Sequence, residues 1–346
     1  MSTKTRRRSI TLKDVAREAG VSVGTASNAI NRQSIVSKEL RERVETVIER
    51  LGYHPSALAR SIKRNRTMVI GLVIPKIRNA FYIQVIDAVE KLVRGHGYTL
   101  VLANSDEDID AELAHLKSFS AGRVDGLILA SAGRKDLARI GRTLATFDRL
   151  GIPVVLIVRE LDDLPYDTIV LDNEAGAYRA TRHALEHGHR RIAIISSQPH
   201  TSASRQRIQG YRRALSEHGI AVDPELVHVG GVAPDSGHII TDRLLGLAAR
   251  PTMIFVATNF LLIGCLKAIH EHALRIPDDI SLICFDDPEW SPYLNPPLTA
   301  IRPNSDELCR MAVRFLLDRI DGSEEGAPRL HVVPADLVIR DSVASL

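Results

Sequence analysis

From residue 68 onward the chain alternates short apolar runs with amphipathic stretches, and this alternation restricts the fold more than any other feature. Apolar runs fall at 68–74, 99–103, 126–130, 153–158, 168–171, 191–196, 253–257 and 281–285. Helical periodicity fills 83–95, 175–187, 205–218, 236–248 and 259–272. A strand covered on both faces reads as a continuous apolar run, and βαβα order means parallel sheets flanked by helices. So many strands exceed one small sheet. Two similar lobes are expected, with ligands bound where the strand C-termini of the lobes face each other. A length of 346 residues leaves room for one further small domain.

Residues 10–51 supply it. Thr11 and Asp14 stand in the S/T-x-x-D/E relation of a capping box, Gly20 breaks the first helical pattern, and Ser22 suits the N-cap of a second that runs to about Asn31. A third begins near Ser37 and sets Leu40, Val44, Val47 and Leu51 at three- and four-residue spacing before Gly52. Helix, glycine-containing turn, helix is a helix-turn-helix pattern. Residues 1–66 hold fifteen Lys and Arg against six Asp and Glu, a surplus of nine, whereas the remainder holds thirty against thirty-six. The overall charge of +3 therefore hides a polyanion-binding head on an acidic body. A short helical stretch, 56–63, and a basic linker, 64–67, join the two.

Cys265, Cys284 and Cys309 show no C-x-x-C spacing and lie in apolar surroundings, as buried thiols of a reducing compartment do. No apolar run opens the chain, and none approaches the ~18 residues of a membrane helix. A cytoplasmic protein without membrane association is expected. A metabolic enzyme on this core would carry a G-x-G-x-x-G or G-x-x-x-x-G-K-S/T loop, a G-x-S-x-G elbow or a metal cluster, and none is present. No cofactor is expected. A ligand-binding transport-type protein would need a secretory leader and would leave the basic head unexplained.

The segment T-L-K-D-V-A-R-E-A-G-V-S-V-G-T-A-S-N-A-I-N at 11–31 resembles the lactose- and purine-repressor (LacI/GalR) family, as does L-G-Y-H-P-S-A-L-A-R-S-I at 51–62. Further likeness lies in I-G-L-V-I-P near 70, P-V-V-L-I-V-R at 153–159, L-D-N-E-A-G-A at 171–177, G-H-R-R-I-A at 188–193 and C-F-D-D-P-E-W from 284. The resemblance implies a helix-turn-helix headgroup (1–54), a hinge helix and linker (55–66), and a two-lobed core like that of periplasmic binding proteins (67–346). Lobe one would take about 67–170 and 302–329; lobe two would take about 171–301 and 330–341. The family's C-terminal heptad helix for tetramers has no counterpart, because the chain stops five residues after Asp341. A homodimeric regulator, a repressor on pseudo-palindromic double-stranded operator DNA, is the expectation.

By the same likeness Val23, Gly24 and Asn28 read bases in the major groove. Asn suits adenine, and Val suits a thymine methyl. Thr11, Thr25, Ser27 and Asn31 match phosphate contacts, which fix register without specifying sequence. Ile62 matches the hinge side chain that wedges into a central base step, with Ala59 and Lys63 beside it in the minor groove. For a small-molecule effector, a sugar or related metabolite, the resemblance assigns Phe81 and Tyr82 to the first-lobe wall and Arg207 and Asp286 to the second. An Arg and a carboxylate facing across a cleft suit a polyhydroxy or purine-like ligand. Arg159 matches a common family residue. Thr258 and Asn259 stand where relatives have an Asn-Asp pair, Val158 where sugar-responsive relatives have Asp, and Val232 where they have an aromatic platform. His183, His187 and His189 form an H-x3-H-x-H set, read as helix-end histidines rather than a metal site.

Overall fold

A computed structural model describes residues 10–31, 36–53, 66–122, 124–133, 136–161, 164–231 and 233–346. The chain divides into two compact units, Met1–Thr67 and Met68–Leu346.

The first unit is three helices, α1 (Leu12–Glu18), α2 (Val23–Asn31) and α3 (Lys38–Leu51). At the start of α1 the Thr11 amide and hydroxyl both donate to the Asp14 carboxylate, at 3.0 and 2.7 Å. Gly20, at φ +63°, turns the chain in the left-handed region that other residues enter at a cost. The Thr25 amide then donates to the Ser22 hydroxyl (3.0 Å) and caps α2. The apolar spacing read from the sequence packs together: Val15, Ala19, Ala29, Val44, Val47 and Tyr53 form one small core.

The second unit holds two six-stranded sheets, each covered on both faces by helices. In the first lobe these are β1 (Val69–Ile74), α4 (Ala80–Gly95), β2 (Thr99–Asn104), α5 (Ile109–Gly122), β3 (Gly126–Leu129), α6 (Leu137–Arg149), β4 (Val154–Ile157) and β5 (Asp167–Leu171). The second lobe holds α7 (Asn173–Glu186), β6 (Ile192–Ser196), α8 (Ser202–Glu217), β7 (Val227–Val229), α9 (Pro234–Leu245), β8 (Met253–Val256), α10 (Asn259–Glu271), β9 (Ser281–Phe285) and β10 (Thr299–Pro303). The chain then returns to the first lobe as α11 (Ser305–Asp321) and β11 (Leu330–Val333), and ends on β12 (Ala335–Val338). Strand orders are β2-β1-β3-β4-β5-β11 and β7-β6-β8-β9-β10-β12, parallel except for β10 against β12. The expected pair of doubly wound parallel sheets is present, and the chain passes between the lobes after β5, β10 and β11.

One boundary is corrected. Residues 330–333, expected in the second lobe with the final strand, pair instead with β5 at the edge of the first sheet, Val332 opposite Val170. Leu330 and Val332 face solvent, so the run carries little apolar signal of its own. Pro334, with no amide hydrogen to give, separates it from the strand that joins the second sheet.

Helices α9 and α10 touch backbone to backbone through glycines. A Cβ on Gly264 would run into the Pro234 carbonyl, and one on Gly237 would run into that of Leu261. Gly264→Ala should therefore push the helices apart and destabilise the core by about 3 kcal/mol, the upper range for overpacking. A urea titration followed by circular dichroism checks this; an unchanged midpoint would show that the helices can slide at no cost.

Candidate functional site

On α2 the side chains divide by face. Ala26 and Ala29 are buried, Val23 and Gly24 are exposed, and Ser27 and Asn28 are half-buried. At 100° per residue Val23, Gly24, Ser27 and Asn28 fall on one side of the helix, so the three residues expected to read bases share a face with one expected phosphate contact. Gly24 is not required by packing, since a Cβ there would meet nothing nearer than the Ser22 hydroxyl at 3.7 Å. Thr25 lies to the flank, and its hydroxyl sits 2.8 Å from that of Ser22. Thr11 is likewise engaged locally, with Asp14. Asn31 ends α2, and Ala59, Ile62 and Lys63 lie outside the described residues.

The charge of the helices differs from the broad basic reading. Arg17 pairs with Asp14 (2.9 Å), Lys38 with Glu42 (3.9 Å), Arg41 with Glu45 (3.7 Å) and Arg50 with Glu18 (2.8 Å). Residues 10–53 contain seven Lys and Arg against six acids, so eight of the nine surplus charges lie in 1–9 and 54–66.

In the second unit, residues assigned to the effector gather where strands end. Arg159 follows β4, Thr258 and Asn259 follow β8, and Asp286 follows β9 in the left-handed region (φ +76°). Asp286 is buried; one of its oxygens accepts from the Asn259 amide (3.3 Å) and side chain (3.0 Å), and the other lies 4.0 Å from Arg207. Burial raises the Asp286 carboxyl above its ordinary range, against the pull of Arg207. Arg207 donates to Asn173 (2.8 Å) and to the Ala257 carbonyl (2.7 Å), with its guanidinium 3.6 Å above the Phe285 ring centre. Arg207 and Asp286 thus stand side by side on the second lobe rather than across the cleft.

Asp287 has a different partner set. It holds Arg340 (2.8 Å) and Arg302 (2.7 Å), tying β9 to the C-terminal segment, and these hydrogen bonds outweigh burial to keep it below the ordinary carboxylate range. Two adjacent acids therefore have separate work.

On the first lobe, α4 begins at Ala80 rather than 83, because the Asn79 side chain accepts from the Phe81 amide (3.0 Å). Phe81 and Tyr82 thereby fall in its first turn, both buried, edge to face at 5.4 Å. Burial lifts the Tyr82 phenol to about 12, and Arg159, Glu107, Asp286 and Arg207 are all near enough to act on it. Val158 is buried at φ +69°, an unusual conformation for a β-branched residue. Beside it Arg159 donates to both oxygens of Glu107, at 2.7 and 2.9 Å, and to the Ser131 carbonyl at 2.8 Å.

Lys76, Asn79, Glu107 and Arg159 of lobe one face Ser197, Gly231, Thr258 and Phe260 of lobe two across a space of about 40 Å³. A wider recess of about 290 Å³ shares Glu107 and runs past Asp108, Gly133 and His200. Beside it the lobes meet directly, the Glu160 amide donating to the Ser202 hydroxyl at 3.0 Å. Sequence reasoning missed Glu107 and Phe260. Phe260, half-buried, brings an aromatic side chain to the cleft, whereas Val232, read at the platform position, lies outside the described residues. His189 is held by Thr252 (2.9 Å) and the Ala344 carbonyl (3.1 Å), and no group of three or more potential ligands is placed to hold a metal among the described residues.

Residues 11–56 match the model for bacterial regulatory proteins of the lacI family, and 181–343 match a periplasmic binding protein-like domain. The HTH-type transcriptional repressor PurR of Haemophilus influenzae (strain PittEE) is 35% identical over 343 residues, covering 97% of this chain and 99% of the relative. The chain belongs to the lacI family. Also similar to this LacI-family protein is the ribose operon repressor of Haemophilus influenzae (strain ATCC 51907 / DSM 11121 / KW20 / Rd), 34% identical with 97% and 99% covered. Among solved structures, the lac repressor dimer bound to operator and the anti-inducer ONPF superposes with a TM-score of 0.85 at 26% identity, covering 97% of this chain and all of that one. The regulator CelR in its cellobiose complex gives 0.72 at 30%, with 96% and 99% covered. The LacI-family chain is a sequence-specific DNA-binding transcriptional regulator, and no described helix is long and apolar enough to cross a membrane.

Proposed function

We propose that this LacI-family regulator is a cytoplasmic repressor, not an enzyme, which binds a pseudo-palindromic operator as a homodimer under the control of a small metabolite held between the lobes. The observation that carries this reading is the convergence of polar side chains from the strand ends of both lobes on one space, in a chain whose other unit is a helix-turn-helix. Regulators matched along nearly the whole chain support it over catalysis.

Arg207 and Asp286, 4.0 Å apart, can share one ligand hydroxyl, which accepts from the guanidinium and donates to the carboxylate. Phe260 would cover the apolar face of a sugar or base ring. The relative CelR, solved with cellobiose, supports a sugar or related metabolite. The space of about 40 Å³ between the lobes is far below the about 300–1,000 Å³ of a ligand pocket, so a sugar-sized effector there requires the lobes to part. That movement would pass to the heads through 55–66, where Ala59, Ile62 and Lys63 keep the minor-groove role the family gives them. Apolar side chains exposed on α4 and the free edge strand β2 (Ile83, Val101, Leu102), and on α9 and α10 (Ile239, Ile263), favour a covered surface in a homodimer.

The DNA assignment is tested on α2. Asn28→Ala should relax preference at one symmetric operator position, costing about 1–3 kcal/mol on the cognate base, whereas Ser27→Ala should weaken all duplexes alike. Binding to a panel of single-base operator variants separates the two. Equal profiles for both variants would remove Asn28 from the readers.

A further inference from the structure

We infer that Asp106 and Glu107, in the turn after β2, act as built-in counter-ions that make the interlobe site select an uncharged effector and exclude anionic ones; this rests on the effector reading above. Both residues adopt left-handed backbone, φ +54° and +62°, which two successive non-glycine residues rarely do. The Glu107 amide donates to the Pro75 carbonyl (2.8 Å), fixing the turn over the end of β1.

The turn delivers one carboxylate each to Lys76 and Arg159, the cations that line the cleft from lobe one among the described residues. Asp106 takes Lys76 at 2.5 Å. Glu107 takes the Arg159 fork with both oxygens, the geometry by which a guanidinium would otherwise grip a ligand carboxylate or phosphate. Arg159 and Glu107 side chains are only 12% and 8% exposed, so the pair is poorly screened and an incoming anion cannot displace Glu107 cheaply. On lobe two, Arg207 is already bonded to Asn173 and Ala257, stacked on Phe285 and set beside Asp286. Asp108, in the adjoining recess, adds further negative charge. Among the described residues, Lys76, Arg159 and Arg207 thus each have an acceptor of their own. A phosphorylated sugar or an organic acid would meet Glu107 and Asp286 with the guanidiniums of Arg159 and Arg207 already engaged. A neutral polyol can accept from the guanidinium edges and donate to the same carboxylates.

Calorimetry on the full-length protein tests this with inorganic phosphate and glucose 6-phosphate as probes, read as the difference between wild type and variants so that binding to the basic head cancels. Glu107→Gln should gain affinity for both by about tenfold or more, with the gain lost in Glu107→Gln/Arg159→Gln and absent in the charge-conserving Glu107→Asp. No gain in a folded Glu107→Gln overturns the assignment. A crystal of wild type grown in glucose 6-phosphate needs no variant: an anion seated on Arg159 also overturns it, and an empty Arg159 fork upholds it. The experiment contains no operator. If a phosphorylated sugar binds wild type at Arg159 and shifts operator affinity, the selectivity fails while the switch stands. If Glu107→Gln gains phosphate but no cleft ligand moves operator affinity, the switch fails while the selectivity stands.

Discussion

Operator affinity should fall by roughly a thousandfold or more when salt rises from about 50 to about 200 mM. A dimer neutralising six or more phosphates gives a log–log slope near −5 or steeper, at about −0.9 per phosphate. The source of that slope is specific. The helices of the head carry almost balanced charge, with Arg17, Lys38, Arg41 and Arg50 paired to acids of their own unit. The surplus sits in the flanks, at Lys4, Arg6, Arg7 and Arg8 before the helices and at Arg60, Lys63, Arg64 and Arg66 after them. Replacing Arg6, Arg7 and Arg8 by Gln should therefore flatten the slope while leaving the preferred sequence unchanged, because phosphate contacts carry affinity and base contacts carry choice. Fluorescence anisotropy of one duplex across a salt series reads this directly. A slope near zero in wild type would contradict a phosphate-dominated interface, and an altered base preference in the triple variant would place those arginines among the readers.

Asp286→Ala should weaken effector binding by about 10- to 150-fold, the equivalent of one or more hydrogen bonds to a buried charge at ~1.5–3 kcal/mol. The substitution removes the carboxylate that accepts from both the amide and side chain of Asn259 and that lies beside Arg207. Arg207 keeps Asn173, the Ala257 carbonyl and the Phe285 face, so the second lobe should remain folded. Asp286→Asn retains an acceptor for Asn259 and isolates the role of charge. If calorimetry gives wild-type affinity for both variants, the ligand sits elsewhere. Neighbouring Asp287 should behave differently: it anchors Arg302 and Arg340, and its loss should appear in stability rather than in ligand affinity.

The parts of this architecture legible in the sequence were those with local causes. The strand Ser281–Phe285 coincides with the apolar run read there, since an all-apolar strand buried on both faces announces itself. Helix α10 begins at Asn259, the residue assigned to the site, after the apolar β8. What could not be read depends on tertiary placement. Leu330–Val333 is half exposed, so which sheet it joins follows from the path of α11 rather than from its own pattern. Arg207 and Asp286 lie 79 residues apart, and only the packing of α8 against the strand ends sets their side chains 4.0 Å from each other rather than across the cleft. Glu107 is invisible as a site residue in the sequence, because its pairing with Arg159, 52 residues away, follows from tertiary placement rather than from a local pattern. Phe260, next to Asn259, reads as one more apolar residue of its helix until it is seen to line the cleft rather than the core.

In the proposed switch the two units are coupled: occupation of the interlobe site changes the grip of the heads on DNA. The direct test selects the preferred duplex from random DNA and measures its affinity for the full-length protein by fluorescence anisotropy, with and without each member of a panel of neutral sugars and nucleobases. At least one compound should shift wild-type affinity by about 5- to 150-fold, the usual range of such coupling, and the shift should vanish in Asp286→Ala. A compound that shifts both proteins equally would show that the switch does not run through this cleft.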